Sequence, residues 1–287
     1  MLTTILFFLT DTFYQEVHAN ESILFDAIRE SCPQPEALQL VMIPVSKMSS
    51  FSIGDISTTL LITDSSDALN HLIKEGFFTI ALYHSQNRSE DFSATPYAVE
   101  DLFALTYDSY EKAYRRLAGL PWEILRTSNL ILRESTLDDI DAFYKIYEHP
   151  AITEYMENLF PERDEECAYL KNYIEKIYGF YGFGFWTVIH RSTGSVIGRA
   201  GLSVREGYEL PELGFVTDIN FQHQGFTYEI CRAILTYAKE ELFFPEVQAF
   251  VHPGNKNSIR LLTRLGFQPM EQVLIRNVPH IRYLCHT

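Results

Sequence analysis

The sequence predicts an α/β protein of two consecutive domains, and three observations carry that expectation. Its 287 residues exceed the usual size of a single domain, and 46% hydrophobic residues suffice for two cores. Short apolar runs alternate with helical periods in the first half, the pattern of a parallel, Rossmann-like sheet. A helical stretch closed by Gly119 is followed by Pro121, so the boundary is expected between Pro121 and Thr127, giving domains 1–124 and 125–287.

The opening Met1–Leu9 is apolar, lacks a basic leader and breaks at Thr10-Asp11. It is too short for a membrane span and lacks the charged start of a signal peptide, so it reads as a buried strand of a cytoplasmic protein. Thr58–Thr63 is a second strand, and Asp64-Ser65-Ser66-Asp67 offers capping oxygens to a helix whose face is Ala68, Leu69, Leu72 and Ile73, ending at Gly76. Strands follow at Thr79–Tyr83 and Tyr97–Val99, and a helix at Tyr107–Ala118.

In the second half, helices are expected over Leu137–His149 and Glu165–Tyr178, capped by Thr136 or Asp138 and by Asp164. From Tyr178 to Trp186 aromatic residues alternate with glycine, which suits either a clamp for an amine or a strand entrance packing rings inward, with Trp186 in the core. Val196–Leu202, Glu212–Asp218 and Val247–Val251 read as strands. Between the last two, the turn Gln222-His223-Gln224-Gly225-Phe226-Thr227 opens a helix running to about Phe243, with Phe226, Ile230, Ala233, Ile234, Tyr237 and Ala238 at helical spacing. Backbone N–H groups at such a positive helix end bind an anion without any basic side chain. Asn255-Lys256-Asn257-Ser258 then leads into a helix, Ile259–Leu265, and the stop Gly266-Phe267.

Leu130–Arg133, the Ile197-Gly198 strand, the Gln222-x-x-Gly225-x-Thr227 turn and Asn255-x-x-Ser258 before Leu265-Gly266-Phe267 together resemble the GCN5-related N-acetyltransferase family, in its ribosomal-protein alanine acetyltransferase branch. The resemblance implies an α+β domain with a mixed, mostly antiparallel central sheet and acetyl-coenzyme A as cosubstrate, lying between the strands at Phe215–Thr217 and Val247–Val251. It implies that main-chain groups of Phe215, Val216 and Thr217 hold the pantetheine arm and that Gln222, Gln224, Gly225, Phe226 and Thr227 form the diphosphate site. Thr227 departs from the Gly or Ala usual in the family, and its β-branch narrows the approach. Asn255 and Ser258 would contact the coenzyme, with Ser258 near its sulfur and also available as a helix cap. Glu212, ahead of the coenzyme strand in an apolar segment, is the candidate base. Tyrosine is a common acid in the family; none falls within Ile259–Phe267, which leaves Tyr283 as a distant alternative.

Residues from about Thr58 to Asp101 resemble the closing half of haloacid-dehalogenase-type phosphatases, with Asp64 where a magnesium-holding acid sits. In the remnant Leu9-Thr10-Asp11-Thr12, leucine stands where the attacking carboxylate belongs, and it cannot form an aspartyl-phosphate. A non-catalytic domain is expected. The formal charge of −15 argues against nucleic-acid binding and suits a cationic amine acceptor, a peptide or a small molecule, while also serving solubility. Cys32, Cys167, Cys231 and Cys285 are scattered packing thiols, and neither cysteines nor histidines have metal-ligand spacing. Two rivals to the transferase stand beside it: an acetyl-coenzyme A sensor without efficient catalysis, and a phosphatase centred on Asp64.

Overall fold

A computed structural model describes residues 2–287 and divides into two compact units between Trp122 and Glu123. Met1, the first residue of the expected opening strand, lies outside the described residues.

The first unit is built on a five-stranded parallel sheet. In chain order come β1 (Thr4–Leu9), α1 (Asp11–His18), α2 (Glu21–Glu30), β2 (Gln39–Pro44), β3 (Thr59–Thr63), α3 (Ser66–Lys74), β4 (Phe78–Leu82), β5 (Ala98–Val99) and α4 (Tyr107–Leu117). The strand order is β2-β1-β3-β4-β5, every pair parallel. Strands covered on both faces read as continuous apolar runs rather than alternating ones. Accordingly Ile5, Phe7 and Leu9 pack with Leu24, Ile28 and Tyr110, while Leu6 and Phe8 pack with Ile43, Leu61 and Leu72. Ser65 caps α3 by accepting from the Ala68 N–H.

The second unit continues with β6 (Glu123–Arg126), β7 (Leu130–Arg133), α5 (Ile140–Tyr147), α6 (Pro150–Thr153), α7 (Arg163–Tyr173), α8 (Gly179–Tyr181), β8 (Phe185–His190), β9 (Val196–Ser203), β10 (Glu212–Thr217), α9 (Phe226–Glu240), β11 (Glu246–Val251), α10 (Lys256–Arg264), β12 (Gln268–Ile275) and β13 (Val278–His286). Its eight strands lie in the order β12-β13-β11-β10-β9-β8-β7-β6. All neighbours are antiparallel except β10 and β11. Trp186, Leu202, Ile230, Ile234 and Phe267 centre the core, so the apolar stripe of α9 is what holds it to the sheet.

Several local expectations are adjusted. Thr136, not Asp138, caps the turn before α5, in a reciprocal box with Asp139, whose carboxylate also pairs with Arg133. Asp164 lies inside the first turn of α7, where its charge meets the helix dipole, and Glu162 precedes the helix. The expected helix from Glu165 to Tyr178 runs as α7 and then widens through Ile174–Tyr178 into α8. α9 stops at Glu240 rather than Phe243, which takes a positive φ of 56°. α10 begins three residues before Ile259 because Asn255, rather than Ser258, is its cap: Asn255 Oδ1 accepts from the Ser258 N–H at 3.1 Å.

Candidate active site

The break in the second sheet makes the site. β10 is paired with β9 along its whole length, from Glu212 opposite Ser203 to Thr217 opposite Gly198. On its other side it meets β11 through one residue pair, Glu212 with Gln248, after which the two strands part. β11 stays paired with β13 from Glu246 opposite His286 to Val251 opposite Ile281. A cavity of about 640 Å³ occupies the gap, lined by Leu213, Gly214 and Phe215 on one side and Ala249, Phe250 and Val251 on the other. Backbone groups of β10 and β11 that would have paired with each other therefore face a ligand-sized space.

The cavity brings together Glu212, Phe215, Asn255 and Ser258 among the residues singled out from the sequence. Val216 is buried against Ile146 and Ile152. Thr217 is also buried; its carbonyl accepts from Gln222 Nε2 at 3.0 Å and its hydroxyl lies 2.8 Å from that of Thr227. The beginning of α9, with Gln224, Gly225, Phe226 and Thr227, lies outside the cavity lining. Gly225 sits at the helix entrance with φ of 88° and no side-chain cap, and His223 is also left-handed at 61°. A residue with a Cβ is disfavoured at that φ, which is why glycine opens this helix. With no side chain capping them, the first N–H groups of α9 retain their donor capacity for an anion.

Glu212 is not a free carboxylate. Arg205 donates through Nε at 2.5 Å and Nη2 at 3.0 Å to its two oxygens, and that bond pushes the guanidinium above its ordinary range. The same guanidinium stacks over Phe250 at 5.1 Å. This two-pronged pair occupies both oxygens of the carboxylate expected as the direct base. Tyr283 is buried in the core and does not line the cavity, so it is in no position to protonate a leaving group there. Ser258, by contrast, does line it.

In the segment from Tyr178 to Trp186 one ring reaches the cavity and the others pack inward or face solvent. Tyr178 and Tyr173 hold the backbone of Phe185: the Tyr178 hydroxyl donates to its carbonyl at 2.8 Å, and its N–H donates to the Tyr173 hydroxyl at 2.8 Å. Burial pushes both phenols up, so they stay protonated. Trp186 is a core residue, Phe180 and Tyr181 face solvent, and Phe185 alone reaches the cavity. Behind it, Arg199 is buried between the rings of Phe143 and Phe185 at 4.6 Å and 4.9 Å.

Sequence reasoning missed Tyr155, Arg205, His252 and His280, all of which line the cavity. His252 stacks on Tyr155 at 5.1 Å and meets His280 edge-on at 6.2 Å. The bond from Tyr155 to Glu154 raises the Tyr155 hydroxyl above its usual range. At the cavity mouth, Glu157 pairs with Arg276, which occupies the two-residue turn between β12 and β13 together with Asn277, both at positive φ.

Residues 129–268 match the family model described as the acetyltransferase (GNAT) domain. An uncharacterized N-acetyltransferase, p20 of Bacillus licheniformis, is 30% identical over 150 residues, covering 51% of this chain and 83% of that protein. The chain belongs to the GNAT acetyltransferase family. A second relative of this acetyltransferase, the uncharacterized N-acetyltransferase YoaA of Bacillus subtilis, is 27% identical over 148 residues, half of this chain and 82% of its own. Among solved structures, apo RimL, a ribosomal L7/L12 alpha-N-protein acetyltransferase, superposes with a TM-score of 0.51 at 12% identity, over 58% of this chain and 96% of that one. That likeness concerns the fold. The protein is thus an acyltransferase that moves an acetyl group from acetyl-coenzyme A to a nitrogen, and the family match lies within the second unit.

Proposed function

We propose that the second unit acetylates a primary amine by direct attack on acetyl-coenzyme A, with donor and acceptor bound together and no covalent enzyme intermediate. The observation that carries this reading is the single-pair junction of β10 and β11: beyond Glu212 and Gln248 two backbones lie open toward one cavity. In this reading main-chain groups of Phe215, Val216 and Thr217 bond the pantetheine arm. The N–H groups of Gln224, Gly225, Phe226 and Thr227 hold the diphosphate at the positive end of α9, and Gln222 braces that turn through its bond to Thr217. Asn255 keeps Ser258 at the cavity wall, where its hydroxyl approaches the sulfur. Glu154, Glu157 and the faces of Tyr155, Phe185 and Phe250 line the acceptor side, a surface suited to an amine that arrives as a cation.

The first unit is read as a degenerate relative of haloacid-dehalogenase-type domains that does not catalyse. Leu9, at the position of the attacking carboxylate, is fully buried. Asp64 is fully engaged: the Thr10 N–H and hydroxyl reach it at 2.7 Å and 2.6 Å, and His84 Nε2 lies 3.1 Å away.

Titration of acetyl-coenzyme A by calorimetry against the wild type and Gly225→Asp tests the proposal. Aspartate tolerates the left-handed backbone better than most residues, so the turn survives while a negative charge enters it. Affinity is expected to fall by at least about tenfold, equivalent to about 1.4 kcal/mol. Equal affinity for both proteins would remove the assigned diphosphate site.

A further inference from the structure

Five side chains lining the cavity are able in principle to take a proton from an amine: Glu154, Glu157, Glu212, His252 and His280. Four already have a partner on at least one of their basic atoms. Glu212 accepts from Arg205 at both oxygens, Glu157 pairs with Arg276, and Glu154 is hydrogen-bonded by Tyr155. His252 Nδ1 accepts the Gly254 N–H at 3.1 Å, so in the neutral ring its hydrogen is on Nε2 and its one basic lone pair is the one that bond occupies.

His280 has the opposite arrangement. Its Nδ1 lies 3.0 Å from the carbonyl oxygen of Val278, and a carbonyl only accepts. Nδ1 therefore carries the hydrogen, and Nε2 keeps its lone pair. The two rings meet edge-on because β11 and β13 pair up to Val251 opposite Ile281, and His252 and His280 are the next residues along. One main-chain carbonyl thus sets the tautomer and orientation of a base that lines the same cavity as Phe215, Asn255 and Ser258.

We propose that His280 Nε2 is the general base of the acetyl transfer, an assignment that rests on the ternary-complex reading above. The amine nitrogen bonds to the thioester carbonyl carbon, and the C–S bond breaks with its electron pair on sulfur. The acceptor arrives as an ammonium and gives its first proton to His280 Nε2, which passes it to water before the attack; the second nitrogen proton, released as the amide forms, reaches the departing thiolate by way of water. Glu212 then serves as a positioning residue that holds Arg205 over Phe250.

The test compares wild type, His280→Gln, His280→Ala and Glu212→Gln for thiol release from acetyl-coenzyme A, with an alanyl tripeptide amide, spermidine and water as acceptors. General bases contribute about 10²–10⁴ in rate, so kcat should fall by about 100-fold or more in both His280 variants. Calorimetric affinity for acetyl-coenzyme A should stay at the wild-type value, and added imidazole should restore His280→Ala by about tenfold or more. Nitrogen-15 spectra of histidine-labelled wild type should show the His280 hydrogen on Nδ1, a readout independent of any acceptor. A hydrogen on Nε2, turnover of His280→Gln within about threefold of wild type, or a Glu212→Gln loss as deep as that of His280→Gln with no imidazole rescue of His280→Ala would overturn the assignment. Loss of coenzyme binding by the wild type itself would instead sink the reading on which it rests.

Discussion

The two sheets of this protein treat the crevice beyond their strand ends in opposite ways. In the first unit the order β2-β1-β3-β4-β5 creates a switch point where β1 and β3 lie side by side and their connections leave in opposite directions, the usual place for a ligand in an open parallel sheet. Its own side chains fill it. Thr10 closes on Asp64, His84 joins them, and the His84 ring lies flat on Phe13 at 4.0 Å. In the second unit the two parallel neighbours abandon each other after one pair, and a cavity lies between them beyond it. A cavity thus arises here from interrupted pairing in an otherwise antiparallel sheet, while at the switch point of the parallel sheet the side chains bond one another.

That contrast is broken most strongly by removing the second sheet. A Cβ on Gly201 would lie 2.0 Å from the carbonyl oxygen of Gly184, and that backbone has nowhere to go. Gly201→Ala should destabilise the second unit by about 3 kcal/mol. Acetyl-coenzyme A binding is expected to weaken by about tenfold or more while amide protection in β1, β3 and β4 persists; wild-type affinity and stability together would contradict the packing described here.

A converse substitution tries to reopen the filled crevice. Leu9→Asp places a carboxylate where the phosphatase reading puts the nucleophile, but Leu9 is wholly buried among Ile5, Leu24 and Tyr110. Burying that group should cost the first unit about 3 kcal/mol and give no magnesium-dependent release of phosphate from p-nitrophenyl phosphate. Phosphate release would restore the phosphatase reading.

The smallest expected effect concerns Thr227, whose hydroxyl is turned to Thr217 rather than toward the anion position. Thr227→Ala should lower stability by about 1 kcal/mol in urea unfolding. Acetyl-coenzyme A affinity should stay within about threefold, or about 0.6 kcal/mol. A tenfold change in either direction would mean that this side chain meets the diphosphate after all.

Much of this organisation was legible because it is local. Gly225 followed by Ile230, Ile234 and Ala238 announces an uncapped turn and an amphipathic helix within a single stretch of chain. The continuous apolar run of β1 announces a strand covered on both faces. Asn255-x-x-Ser258 was visible as a motif, although which of the two oxygens caps α10 depended on backbone geometry. The acceptor side was not legible. Tyr155 comes from an irregular segment without periodicity, and His252 meets His280 only through the register of β11 and β13. Glu212 looked like a lone acid in an apolar run because Arg205 reaches it across the β9–β10 connection. Pairing across strands sets these neighbours, and no spacing along the chain encodes it.

The central claim is that main-chain donors at the start of α9 grip the diphosphate of acetyl-coenzyme A. Amide hydrogen exchange with and without saturating coenzyme tests it most directly. Exchange should slow by about tenfold or more at Gln224, Gly225, Phe226 and Thr227 and remain unchanged at Thr10 and Ser65. Slowing at Thr10 and Ser65, with none at the start of α9, would contradict the account.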